Sequence, residues 1–186
     1  MWRSRGIHWK NASNPKLANL AMWRAYEMEP DMMDAEEEHD GTIEGYFGSS
    51  SARITLRSID AEVSGIFLHG YCFMMAWAIH VKTGLPMIAF TSSESTAENW
   101  CGHVAVKVGD DEYLDISGVQ SYDLIKSVYG KVSGPMEIDP QNLQGFVSEE
   151  YRTDPMRYFD ELERLITEDF ADMLIAEHHL PVLDAT

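Results

Sequence analysis

The sequence predicts an α+β domain in which a small antiparallel sheet packs on a buried central helix, with further helices flanking it at both ends. Three observations carry this. Phe73 to Val81 is apolar almost throughout and stops at Gly84 and Pro86, the pattern of a helix buried on nearly every side. Gly102 to Val108 alternates, with Val104, Val106 and Val108 on one face and His103, Ala105 and Lys107 on the other, before Gly109-Asp110-Asp111 and a second short run, Glu112 to Ile116. A period of two broken by turn residues reads as a hairpin. Finally, Phe159, Leu162, Ile166, Phe170, Met173 and Leu174 recur at three and four spacing between Asp154-Pro155 and His178-His179-Pro181. That is the apolar stripe of a capped amphipathic helix.

At 186 residues with a 45% hydrophobic share, the chain is long enough for one domain with a sizeable core. Residues 1–40 read as an arm and helix with an acidic stretch, 52–145 as the core, and 154–180 as the terminal helix. A net charge of −17 repels phosphates, so nucleic acid is not an expected partner; the usual meaning of such a surface is solvation, and it also suits binding a basic protein surface or imitating nucleic acid. Two cysteines, no secretory pattern at the start and no apolar run near 18 residues are what a soluble, cytoplasmic protein in a reducing compartment shows, with no membrane partner.

In order along the chain, Met1 to Lys16 is locally basic and carries Trp2 and Trp9, an arm suited to packing on an acidic body. Pro15 suits the first position of a helix whose stripe is Leu17, Leu20, Ala21 and Met28, and Pro30 ends it. Glu29 to Asp40 then holds seven acidic residues, an exposed helix end or linker. Gly41 to Ser51 has the composition of a surface loop, with a lid over the later site as the second reading, and lacks the Gly-Lys-Ser/Thr ending of a phosphate loop. Arg53, Thr55 and Arg57 alternate with Ile54 and Leu56, a short strand with two arginines on one face. After the central helix, Met87 to Phe90 is a short strand and Thr91 to Asn99 a polar loop. Tyr122 to Tyr129 is a short helix, broken by Gly130 and Gly134-Pro135, and Met136 to Ile138 a last strand.

The chemistry is concentrated between Gly70 and Gly118. Cys72 opens the buried helix, where unpaired backbone N–H groups and the positive end of the dipole favour a thiolate. With a three-residue loop at 109–111, Ala105 pairs with Asp115, and His103 and Asp115 share a face as diagonal neighbours. A loop of two or four residues separates them. Cys72 is then a nucleophile, His103 its base and Asp115 the acid that orients His103. His69, Tyr71 and Trp100 flank these residues and are the candidate substrate-binding positions. His69 and the backbone N–H of Cys72 are the nearest oxyanion donors.

The order Cys, His, Asp, with Cys72 opening a buried helix, His103 starting a strand as His-Val-Ala-Val and Asp115 ending the next as Leu-Asp-Ile, resembles the papain-like superfamily. Its transglutaminase-like and arylamine N-acetyltransferase-like branches are the closest in pattern, over residues 64–119. The resemblance implies a papain-like core and a cysteine-dependent acyl-transfer enzyme acting on a peptide or amide without a cofactor. Two departures stand: no glutamine precedes Cys72 to complete an oxyanion hole, and the interval from Cys72 to His103 is compact.

Blander readings stay open. Cys72 alone is a small buried hydrophobe, His103 a satisfied core histidine and Asp115 a turn-flanking residue. Cys72, Cys101, His103 and Asp115 also offer four zinc ligands, although the tight paired spacings of structural zinc are absent and no metal is expected. A disulfide between Cys72 and Cys101 is a secondary alternative. A different class altogether is a non-enzymatic, acidic binding protein, a viral or phage accessory or inhibitor on a papain-like scaffold, acting through the acidic helix face of Glu161, Glu168 and Asp172.

Overall fold

The computed structural model describes residues 42–47, 50–55, 58–68, 71–92, 101–130, 132–138 and 161–183. The expected arm and helix of residues 1–28, the acidic stretch to Asp40, Arg57, the 93–99 loop and the helix start at Asp154-Pro155 lie outside them.

The loop expected at Gly41 to Ser51 is corrected. Thr42–Phe47 (β1) and Ser50–Thr55 (β2) pair as an antiparallel hairpin, from Thr42 opposite Thr55 to Phe47 opposite Ser50. Glycine and serine dominate the composition, but Ile43, Tyr46 and Phe47 are good strand formers, and only Gly48 and Ser49 separate the strands in sequence. Ile54 of β2 is fully buried in the main core.

Asp60 then caps Ala61–Leu68 (α1), its carboxylate accepting from the Val63 N–H at 2.9 Å, as an N-terminal aspartate does. Val63 and Phe67, one turn apart, are its buried pair. Cys72–Thr83 (α2) is the expected central helix, burying Met74, Met75, Ala76, Ala78 and Ile79. It ends where the sequence says it should: Gly84, at φ 71°, donates its N–H to the His80 carbonyl at 2.7 Å, a left-handed cap that suits glycine.

Met87–Ser92 (β3), Cys101–Gly109 (β4), Glu112–Asp115 (β5), Gly118–Gln120 (β6) and Val132–Ile138 (β7) form an antiparallel sheet in the order β6-β5-β4-β3-β7. Tyr122–Tyr129 (α3) precedes β7 and Glu161–Glu177 (α4) follows it. Gly134 and Pro135 do not break the chain as expected. They lie inside β7, with Pro135 opposite Phe90, and a proline is tolerated there because β7 is an edge strand.

The hairpin loop is also shorter than expected. Gly109 pairs with Glu112, so the loop is Asp110-Asp111, and the register shifts between Lys107 and Gly109 to leave Val108 as the extra residue. Past this bulge Lys107 faces Tyr113 and Val106 faces Leu114, the register the three-residue loop would have set. A bulge thus restores the pairing that a two-residue loop alone would have lost.

Alternation then divides the sheet. On one face Met87, Ala89, Val104, Val106, Leu114 and Ile138 join α1, α2 and α4 in the main core. On the other, Ile88, Phe90, Ala105, Tyr113 and Val132 pack around Ile125 of α3. The terminal helix covers the core, as its stripe predicts, through Leu165, Ile166, Phe170, Leu174 and Ile175. Among the described residues, no helix is long and apolar enough to cross a membrane.

Candidate active site

His103 and Asp115 stand on neighbouring strands and on the α3 face. Their side chains meet: His103 Nε2 and Asp115 Oδ2 are 2.8 Å apart, both groups buried. Asp115 closes β5, and its second oxygen, Oδ1, accepts from the Ser117 N–H at 2.7 Å and from Gln120 Nε2 at 2.8 Å. The first of these is an aspartate turn, the aspartate side chain holding the backbone two residues on. The second comes from the end of β6. With three donors on two oxygens, the carboxylate is fixed in orientation, and so is the imidazole it holds.

Cys72 enters from the other layer. It is the first residue of α2, carries a free thiol and is half-exposed. It lies near enough to the imidazole to raise the ring's pKa. Nε2 being taken by Asp115, the ring nitrogen left for the thiol is Nδ1. The structure therefore brings together the three residues that the sequence reading singled out.

Electrostatics set the protonation of the ring. Burial alone would push His103 down, but the hydrogen bond to Asp115, the contact with Cys72 and the negative charges of both outweigh it and raise His103 to about 9. At neutral pH the ring is an imidazolium.

Aromatic rings wall the imidazole in. Tyr129, the last residue of α3, stacks on it with centroids 4.4 Å apart and planes at 15°. Phe90, its register partner on β3, lies at 6.2 Å and 24°. A cation against aromatic faces is favoured, the more so when desolvated. Burial, followed by the charges of Asp115 and Cys72, pushes the Tyr129 phenol well above the usual tyrosine range.

Of the candidate substrate-binding residues, His69 and Trp100 lie outside the described residues. Tyr71 precedes α2 and sets its ring edge-on to Phe67 at 6.5 Å, half-buried against the main core. The Cys101 side chain is also outside, and among the described residues no group of three metal-ligating side chains converges.

Sequence reasoning missed Gln120 and Tyr129. Gln120 belongs to β6, a strand of three residues with no periodicity to announce it. For Tyr129 a signal existed: Tyr122, Ile125 and Tyr129 fall on one helical stripe, and Ile125 is buried against the strand face that carries His103. No family model, curated protein or solved structure matches the chain.

Proposed function

We propose that the protein is a cysteine-dependent acyl-transfer enzyme, with Cys72 the nucleophile, His103 the proton carrier and Asp115 the group that orients His103. The observation that carries this reading is the buried His103–Asp115 pair at 2.8 Å, with the helix-opening Cys72 close enough to act on the same ring. An ordinary core histidine has no need of a fixed carboxylate on one side and a thiol on the other.

In this reading the resting site holds thiolate and imidazolium. The sulfur attacks an acyl carbonyl, the carbonyl π pair moves to oxygen, and collapse expels the leaving group as His103 gives it a proton. The ring, now neutral, takes a proton from water or an amine as that nucleophile attacks the thioester and so returns to imidazolium, and the carbon–sulfur bond breaks to release the product and the Cys72 thiolate. Transfer to water makes a peptidase or amidase and transfer to an amine makes a transferase. A papain-like core, with a nucleophile on a helix and base and acid on adjacent strands, is the finer fold assignment that goes with this reading.

The test is the rate of iodoacetamide alkylation of Cys72 against pH, in a Cys101→Ser background. The expected rate is already at its plateau at neutral pH, and in His103→Ala it becomes steeply pH-dependent. A thiol that reacts only on unfolding would sink the reading.

The net charge of −17 supports the second reading, an acidic binding protein. Its proposed helix face is partly occupied within the chain, since Asp172 accepts from Lys82 Nζ at 2.6 Å and Arg164 reaches Glu168 at 4.0 Å. Binding of a basic protein that survives Cys72→Ala and fails when Glu161, Glu168 and Asp172 are neutralised would favour it.

A further inference from the structure

The proposed chemistry lacks one part on the described residues: a side chain to receive the negative charge that forms on the acyl oxygen. Backbone N–H groups at the start of α2 offer donors, yet oxyanion sites commonly pair such a group with a second, preorganised donor. Tyr129 is the neighbour with an uncommitted one. Its phenolic oxygen is buried and has no hydrogen-bond partner among the described residues, a state that is costly and uncommon in folded proteins. The stacking on His103 at 4.4 Å does not account for the hydroxyl, because a phenylalanine would stack as well without burying an unpaired polar atom. Three further observations bear on what the hydroxyl meets. The ring is held against the base of the site, so the hydroxyl has a fixed place rather than a mobile one. The charges that act on the phenol are those of Asp115 and Cys72, which puts it in the field of the nucleophile. Finally, its ionisation is suppressed, so it remains a donor throughout the range in which His103 is charged.

We propose that the Tyr129 hydroxyl is an oxyanion donor, hydrogen-bonding the oxygen of an acyl group while Cys72 sulfur bonds to its carbon. This inference rests on the acyl-transfer reading and deepens it. When the sulfur–carbon bond forms, the carbonyl π pair becomes a lone pair on oxygen, and the phenol O–H points at that charge without giving up its proton. When the pair returns, the bond to the leaving group breaks and the phenol is released. A site closed to water is where one such donor has its largest effect.

The experiment compares two reactions of the same thiol. Alkylation by iodoacetamide displaces iodide at a saturated carbon and forms no oxyanion, whereas acylation by p-nitrophenyl acetate passes through one and releases p-nitrophenolate. In the Cys101→Ser background, Tyr129→Phe is expected to leave the alkylation rate at neutral pH within about twofold and to slow acylation on the order of 100-fold. It is also expected to unfold at the same temperature or higher, since it removes an unpaired buried hydroxyl. Equal loss of both reactions would make Tyr129 a positioning residue for His103 and overturn the proposal. No loss of either would overturn it too, while leaving the acyl-transfer reading intact. A parent protein whose Cys72 neither alkylates at neutral pH nor acylates would overturn both together, and Cys72→Ala sets the background for each rate.

Discussion

The two faces of the sheet are built from the same strands and do different work. Met87, Ala89, Val104, Val106 and Leu114 point into the main core with α2 and α4. Their immediate neighbours, Phe90, His103, Tyr113 and Asp115, point the other way, and three of these four carry a polar or ionisable group. The first face is close-packed aliphatic surface, where stability is concentrated and no proton moves. The second is thinner, covered by the eight residues of α3, and rich in aromatic rings that enclose one ion pair. Strands that alternate in this way place a rigid hydrophobic floor directly beneath the buried histidine–aspartate pair, so that the pair is positioned by a layer it never touches.

The largest expected effect that sharpens this contrast falls on the apolar face. Phe170, fully buried and set edge-on to Phe67 at 6.0 Å, should cost about 3–5 kcal/mol on replacement by alanine. Urea unfolding at several pH values checks it, and the loss is expected to be the same at each, because no titrating group is disturbed.

The polar face should behave in the opposite way. His103 is raised in the folded protein from 6.5 to about 9, so its contribution is fully present below about pH 6.5 and lost as pH rises through about 9. A shift of that size corresponds to roughly 3 kcal/mol. Unfolding midpoints should therefore fall between pH 6.5 and 9.5, and Asp115→Asn should flatten that fall. A flat profile in the parent protein would contradict the charged ring.

Gln120 supplies the smallest effect. Gln120→Ala removes one donor from Asp115 and leaves Ser117 in place, so about 1 kcal/mol is expected. The pH at which stability is lost should move, since the carboxylate is less firmly held. A change in stability with no change in profile would mean that Gln120 is packing rather than orientation.

How much of this was legible in the chain differs between the layers. Periodicity gave the central helix, the β4–β5 hairpin and the stripe of α4, because each is a local pattern that burial enforces. The helix α1 was hidden by Gly65 in its middle, and β7 by Gly134-Pro135, residues that signal breaks unless one knows that the strand lies at an edge. The hairpin β1–β2 was masked by glycine and serine. At the candidate site, Cys72 and Asp115 were readable because each stands at the boundary of a regular element, and His103 because it lies near the start of an alternating strand. For Tyr129 the helical stripe with Tyr122 and Ile125 marked only a buried face, because its stacking on His103 joins residues far apart in sequence that the tertiary fold brings together.

The bulge at Val108 has an implication for how this chain tolerates insertions and deletions. Strand pairing counts residues in twos, and Val108 is the odd one that sets the parity of everything from Lys107 back to His103. Deleting it would turn an irregular hairpin into a regular one and still leave imidazole and carboxylate on one side. Deleting a single residue between Glu112 and Asp115 would carry the carboxylate through to the main-core side, away from His103. Lineages descended from this sequence should therefore accept the loss of Val108 on the β4 arm of the turn and reject a single-residue loss on the β5 arm, an asymmetry that two strands of equal hydrophobicity would otherwise give no reason to expect.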